Sequence, residues 1–297
     1  MAPKVDPQNL RKTFGRFRVL IVGRANAGKT TILQKVCNTT EKPEIYNAKG
    51  DKVTCALMDS QRGNHDITNE MVFKSNPGFV FHDSCGFEAG SVEEFEDMKK
   101  FIAERANTTK LEERIHAVWY CVPMDDHCRT FQRSEEKFFS ECDTGNVPVI
   151  VVFTKFDALR PVAFGEIKKQ LIGVSKEERL EKIAQRVEQL FMSTGVLDRL
   201  YAPKNRARPK CHVRLQNMNK EDTGCDALLE HTTFALDDEE LRLCLVSTQQ
   251  SNLELCIKCA IEMVVDCANK QSLLRLTDLE RYQYDIAKWF SYLKVRQ

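Results

Sequence analysis

The chain has 297 residues, enough to bury a substantial core in one or two domains. Its 44 Lys and Arg against 43 Asp and Glu leave no global attraction to DNA or to an anionic surface. No apolar run is long enough to span a bilayer. Met1-Ala2-Pro3-Lys4 lacks a signal-peptide core and the glycine of myristoylation, and Lys294-Val295-Arg296-Gln297 is no prenylation box. The expectation is a cytoplasmic protein without transmembrane segment or lipid anchor, in which the twelve cysteines act as small buried apolar residues.

Residues 1–15 are polar and are expected to form a flexible N-terminus. Phe17-Arg18-Val19-Leu20-Ile21-Val22 then reads as a strand, and Thr31-Ile32-Leu33-Gln34-Lys35-Val36 as a helix. Between them lies Gly23-Arg24-Ala25-Asn26-Ala27-Gly28-Lys29-Thr30, a complete G-x-x-x-x-G-K-[ST] loop. Its glycines allow successive N–H groups to converge on phosphate oxygens, and the helix start adds its positive end. The nucleotide-binding candidates here are Gly23, Ala25, Asn26, Ala27, Gly28, Lys29, Thr30 and Thr31. Lys29 should reach the outer phosphates, and the Thr30 hydroxyl should ligate Mg²⁺.

Residues 38–66 show no clear periodicity. Glu70-Met71-Val72-Phe73-Lys74 and Phe79-Val80-Phe81 flank Ser75-Asn76-Pro77-Gly78 and read as a hairpin. Asp83-Ser84-Cys85-Gly86 follows it; Asp83 can hold Mg²⁺ through water, and the Gly86 N–H can sense a γ-phosphate. Residues 92–106 have helical period, 116–122 reads as a buried strand and 130–141 as a helix.

The run Val147-Pro148-Val149-Ile150-Val151-Val152-Phe153 leads to Thr154-Lys155-Phe156-Asp157. A carboxylate at Asp157 can accept from the N1–H and amino group of guanine, a donor pair that adenine lacks. Residues 162–195 read as one or two amphipathic helices, with Ser175-Lys176-Glu177-Glu178 as a capping box. Lys204-Asn205-Arg206-Ala207-Arg208-Pro209-Lys210 is basic. It reads as a solvated loop, or else as a contact for RNA or anionic lipid, although it lacks the interleaved aromatics that stacking needs. Leu241-Arg242-Leu243-Cys244-Leu245 reads as a last strand ending in Val246-Ser247-Thr248, where a backbone N–H of Ser247 or Thr248 would meet guanine O6. Cys256-Ile257-Lys258-Cys259 lies in a helical pattern, without the second pair that a zinc site needs.

These four motifs, each after a strand, resemble those of Ras-like GTPases of the translation-factor-related class. GRANAGKT is similar to the GRPNVGKS-type loops of the Era, TrmE and septin-like branches, and the whole chain resembles a group of fungal G-domain proteins. The resemblance implies an α/β Ras-like P-loop G domain. Its mostly parallel six-stranded sheet would have one antiparallel edge strand, helices on both faces and a helical insertion before the last strand. The G domain would cover 16–270, with the insertion at 158–240 and a C-terminal helical extension at 271–297. GTP and GDP would be the ligands, with Mg²⁺ on Thr30 and Asp83. Asn26 occupies the position of the potassium-coordinating Asn of TrmE-like GTPases, where a partner G domain or activating protein completes the site; alternatively it braces the loop through local hydrogen bonds.

Two departures bear on turnover. Phe87 follows Gly86, where many GTPases carry a water-orienting Gln. Thr54, Ser60 and Thr68 are open candidates for the first-switch Mg²⁺ ligand, with Thr40 behind them. The leading expectation is a GTP-binding switch with slow hydrolysis. A pseudo-GTPase scaffold that holds nucleotide without turnover is the alternative. An ATP-using kinase or ATPase is the third reading, and it leaves Lys155, Asp157 and Ser247 unexplained. Beyond an expected helix at 252–267, Leu276, Leu279, Tyr282, Ile286, Trp289, Phe290 and Leu293 form a helical apolar stripe that either completes the core or docks a partner.

Overall fold

The computed structural model describes residues 15–53, 66–84 and 92–248, together with Ile257 and Ile261. Gly86, Phe87, Thr54, Ser60 and the stripe from Leu276 to Leu293 lie outside the described residues, as do the expected N-terminal tail up to residue 14 and most of the expected 252–267 helix.

Eight strands form one sheet: β1 (Phe17–Gly23), β2 (Glu44–Tyr46), β3 (Lys52–Val53), β4 (Glu70–Phe73), β5 (Asn76–Asp83), β6 (Ala117–Pro123), β7 (Val149–Thr154) and β8 (Pro209–Arg214). Their spatial order is β3-β2-β4-β5-β1-β6-β7-β8. The pairs from β5 through β8 are parallel, while β4/β5, β2/β4 and β2/β3 are antiparallel. The helices are α1 (Lys29–Val36), α2 (Val92–Ala106), α3 (Arg133–Glu141), α4 (Leu159–Ile167), α5 (Lys176–Ser193), α6 (Val196–Leu200), α7 (Asp226–Ala235) and α8 (Glu239–Thr248).

The parallel strands are covered on both faces, which is why they read as continuous apolar runs rather than alternating ones. Val19 and Ile21 of β1 face one core with Ile32 and Leu33 of α1, Leu228 of α7 and Leu245 of α8. Leu20 and Val22 face the other, with Phe95 and Ile102 of α2, Phe138 and Phe139 of α3 and Phe191 of α5. The Trp119 indole N–H donates to Thr232 Oγ1 at 3.0 Å and pins α7 to the sheet. Before α5 the N-cap half of the expected capping box forms, with Ser175 Oγ accepting from the Glu178 N–H, while the Glu178 carboxylate pairs with Lys182.

The α/β architecture agrees with the expectation, and three details are corrected. Six strands become eight among the described residues, and the single antiparallel edge pairing becomes three, because β2 and β3 form within the aperiodic stretch after α1. The expected last strand at 241–245 is helix α8. Its residues pack almost all round, with Leu241, Leu243, Cys244, Leu245 and Val246 buried against the sheet, so its apolar pattern mimics a buried strand. The signal for a helix was upstream. Asp238 Oδ1 accepts from the Glu240 and Leu241 N–H groups, and Glu239 and Glu240 occupy the first turn. The last strand among the described residues is β8, where Cys211 and Val213 alternate with Lys210, His212 and Arg214.

The basic stretch before β8 is a folded turn whose charges are matched. Lys204, Arg206 and Lys210 pair with Glu136, Asp143 and Asp237. Arg208 donates to the carbonyls of Asn205 and Pro203. Of the described cysteines, Cys37, Cys121, Cys142, Cys225 and Cys244 are buried free thiols. Burial pushes each of these thiols up to about 12. No helix among the described residues is long and apolar enough to cross a membrane.

Two buried histidines contact Arg18 of β1. His116 Nδ1 accepts from the Arg18 N–H at 3.0 Å, so its Nε2–H donates to Leu111 O. His82 lies between Ile67 O and Arg18 Nη1. Burial first, then the Arg18 cation, lowers His82 from 6.5 to about 4; burial does the same for His116. A histidine held neutral in the fold contributes stability above its unfolded pKa, and loses it as pH falls through the folded one. Stability should therefore decline between pH 6.5 and about 4, by up to about 3 kcal/mol per histidine. Urea midpoints measured across that window check this, and His116→Asn should flatten the decline. Equal slopes for wild type and variant would contradict it.

Candidate phosphate and base cleft

Successive crossovers leave β1 in opposite directions, toward β5 on one side and β6 on the other. In an open parallel sheet such a switch point opens a crevice at the carboxyl ends of the strands. Here that crevice receives the ends of β1, β5, β6 and β7, and so gathers the loops that follow Gly23, Asp83, Pro123 and Thr154.

The loop after β1 begins where two backbones nearly touch. A Cβ on Gly23 would lie 2.6 Å from Cys121 O of β6, and Gly23 has φ +149°. Gly28, at φ +82°, precedes α1 and offers no side-chain cap to the first-turn N–H groups. An uncapped helix start following a glycine turn is an anion cradle. The Lys29 ammonium, 9 % exposed, donates to Gly23 O at 2.8 Å and Arg24 O at 3.3 Å, and lies 3.7 Å from Asp83 Oδ1. Thr30 is exposed beside it, Thr31 half-buried, and Ala25 and Asn26 stand exposed on the loop while Ala27 is buried. The Thr30 hydroxyl and the Asp83 carboxylate are oxygen donors of the kind that could hold Mg²⁺.

The opposite wall is the end of β7. Thr154 is buried, and its hydroxyl has no hydrogen-bond partner among the described residues. A Cβ at Gly28 would come within 4.0 Å of Thr154 Cβ, so this hydroxyl lies behind the phosphate loop. Lys155, at φ +51°, donates to Asp125 Oδ2 at 2.6 Å. Asp157 is half-buried, and its Oδ1 accepts from the Asn217 N–H at 2.8 Å. Two further bonds bind this wall to the segment after β8: Phe156 N–H to Leu215 O and Leu215 N–H to Phe153 O. Arg24, Ala25, Asn26, Pro123, Asp125, Asp126, Gln132 and Lys155 line a cleft of about 410 Å³ between the two walls.

The ends of β1, β5 and β7 thus place residues 23–31, Asp83, Thr154, Lys155 and Asp157 at one edge of the sheet. Ser247 and Thr248 are not among them. Both end α8, where their hydroxyls bond back to the carbonyls of Cys244 and Leu245. The Asn76 amide donates to Thr248 O, at the start of β5 and the far end of the sheet from Asp83. The segment beside Asp157 is instead residues 215–217, which sequence reasoning missed because β8 was read as a loop. Of the first-switch candidates, Thr68 donates its hydroxyl and N–H to Asp66 Oδ1 in a local turn, and the Thr40 carbonyl accepts from the Gln34 amide. Of the four described non-glycine residues with positive φ, Asn26 and Lys155 line this cleft, and Asn217 bonds to Asp157 beside it. Such strained backbone gathers where function over-determines it.

Residues 18–155 match the family model described as 50S ribosome-binding GTPase. No curated protein matches the chain. The match, with the strand order and the loop geometry, supports a P-loop GTPase domain. The approach of Gly23 to Cys121 yields a direct check. Gly23→Ala must separate β1 from β6 or strain the loop, and should destabilise the fold by about 3 kcal/mol in chemical denaturation. An unchanged midpoint would contradict the packing described.

Proposed function

We propose that this protein binds guanine nucleotide with Mg²⁺ and hydrolyses GTP slowly, acting as a switch. The observation that carries the reading is Asp157. Its carboxylate stands at the strand end across from the Lys29 loop, held at one oxygen by the Asn217 N–H. A carboxylate has several lone-pair sites, so it can still accept from the paired N–H donors of a guanine. Adenine would leave it unsatisfied.

On this reading Gly23, Ala25, Asn26, Ala27, Gly28, Thr30 and Thr31 surround the phosphates. Lys29 turns from the Gly23 and Arg24 carbonyls toward the β- and γ-oxygens. Thr154 supplies its unpaired hydroxyl behind the loop, and the Lys155 stem flanks the sugar and base. Thr30 and Asp83 would hold Mg²⁺, which when bound neutralises charge on the phosphates. Gly86 remains the γ-phosphate sensor proposed from sequence. Asn26 would meet a potassium ion if one assists, with a second G domain or an activating protein completing the site. The loop string supports the Era, TrmE and septin-like branch, and the absence of a membrane-crossing helix among the described residues is compatible with a cytoplasmic location.

Phe87 favours one second reading, a scaffold that holds GTP or GDP without turnover, because Phe cannot orient an attacking water. Multiple-turnover phosphate release separates the two. A slow, Mg²⁺-dependent release supports the switch. None, even with cell extract, supports the scaffold. In either case chelating Mg²⁺ should weaken GTP binding, and unchanged affinity would remove Thr30 and Asp83 from the metal site.

Base choice has its own test. Asp157→Asn should weaken GTP by about 2 kcal/mol or more, the scale of a charged hydrogen bond left unmade. Xanthosine triphosphate, whose C2 oxygen can accept from the new amide, should gain affinity. Titration of both nucleotides against wild type and variant decides it; equal GTP affinity would remove Asp157 from the base site.

A further inference from the structure

The phosphate loop carries a second cation, and it is committed elsewhere. Arg24 Nε lies 3.0 Å from Glu135 Oε1, and Arg24 Nη2 donates to Thr130 O at 3.4 Å. Glu135 belongs to the first turn of α3, and its side chain has no solvent exposure. The other oxygen, Oε2, accepts from the Gln132 N–H at 2.9 Å and from the Ser134 hydroxyl at 3.0 Å. One carboxylate therefore closes the start of α3 and grips the loop after β1. A fully buried carboxylate left without a counter-charge is strongly destabilising, so Arg24 cannot leave it freely for a phosphate. The clamp also borders the cleft, since Arg24 and Gln132 both line it, and Thr130 bonds back to His127 O in the turn at its rim.

We propose that Glu135 is a positioning residue for the phosphate loop, holding it through Arg24 and tying its shape to the first turn of α3. The inference deepens the nucleotide reading above and rests on it. Arg24 is then a structural cation rather than a phosphate ligand. A shift in the turn at 127–132 on binding a partner would reach the phosphates through this clamp.

The test uses the full chain and four variants. Glu135→Gln keeps the volume and an oxygen for the cap but removes the charge; Arg24→Met removes the other partner; their double removes both; Arg24→Lys keeps the cation. Two readouts are taken, GTP affinity and amide exchange of residues 24–30 in nucleotide-free protein. Each single variant should weaken GTP about tenfold, and the double no more than either single, because both remove one shared interaction. Arg24→Lys should stay within about threefold of wild type, and exchange across 24–30 should quicken in both singles and not in Arg24→Lys. A folded Glu135→Gln protein with wild-type affinity and exchange overturns the proposal, as does a multiplicative loss in the double. If Glu135→Gln does not fold, Arg24→Met and Arg24→Lys carry the same comparison. Should wild type bind no nucleotide, the nucleotide reading fails, and the exchange measurement alone still decides whether Glu135 holds the loop.

Discussion

A lysine ammonium buried at the head of α1 must be surrounded by oxygen, and the site is built around that requirement. Lys29 meets it with the carbonyls of Gly23 and Arg24, both from its own loop, and the carboxylate of Asp83, from a strand some fifty residues on. The loop can bend its carbonyls toward the ammonium only because Gly23 and Gly28 accept positive φ. Asp83 arrives only because β5 lies parallel to β1 with Ile21 opposite Asp83. Local backbone freedom and sheet register therefore converge on one charge and fix its position at the head of α1.

The same economy appears on the second wall. Asp157 is oriented by the N–H of Asn217, and the chain between them holds α4, α5, α6 and β8. That long excursion does not disturb the wall, because β8 returns parallel to β7 and its following residues bond to Phe153 and Phe156. The helical segment packs mainly on itself through Ala163, Ile167, Leu171, Ile183 and Leu190, while Phe191 anchors it against Phe153. The elaboration is thus attached at its base and leaves the cleft open.

Polar groups elsewhere in the fold are satisfied in ways that favour neutrality. His82 and His116 are held uncharged by burial beside Arg18, whose guanidinium is paired with Glu70 at 2.6 Å. Charge is kept where it can act. Arg24 with Glu135 and Lys155 with Asp125 both sit at the rim of the cleft, the first buried and the second exposed. A buried pair resists solvent exchange and transmits position, whereas an exposed pair opens at little cost.

The sequence by itself determined the loop from Gly23 to Thr31, the hairpin before Asp83, the strand before Thr154 and the capped helix after Ser175. Each of these carries its own local signal: a glycine-spaced motif, a turn, a dense apolar run or a side-chain cap. It was silent or misleading where one local pattern serves two structures. Residues 241–248 are apolar enough for a buried strand, yet they form a helix because they are enclosed nearly all round and Asp238 starts them. The alternation of β8 was hidden by basic residues that tertiary partners neutralise, Lys210 on Asp237 and Arg214 on Glu188. Only the folded sheet could decide that residues 215–217, and not 246–248, stand beside Asp157, or that Glu135 reaches Arg24. Those pairings join segments 60 and more than 100 positions apart, and such distances are set by strand order, on which local propensity has no bearing.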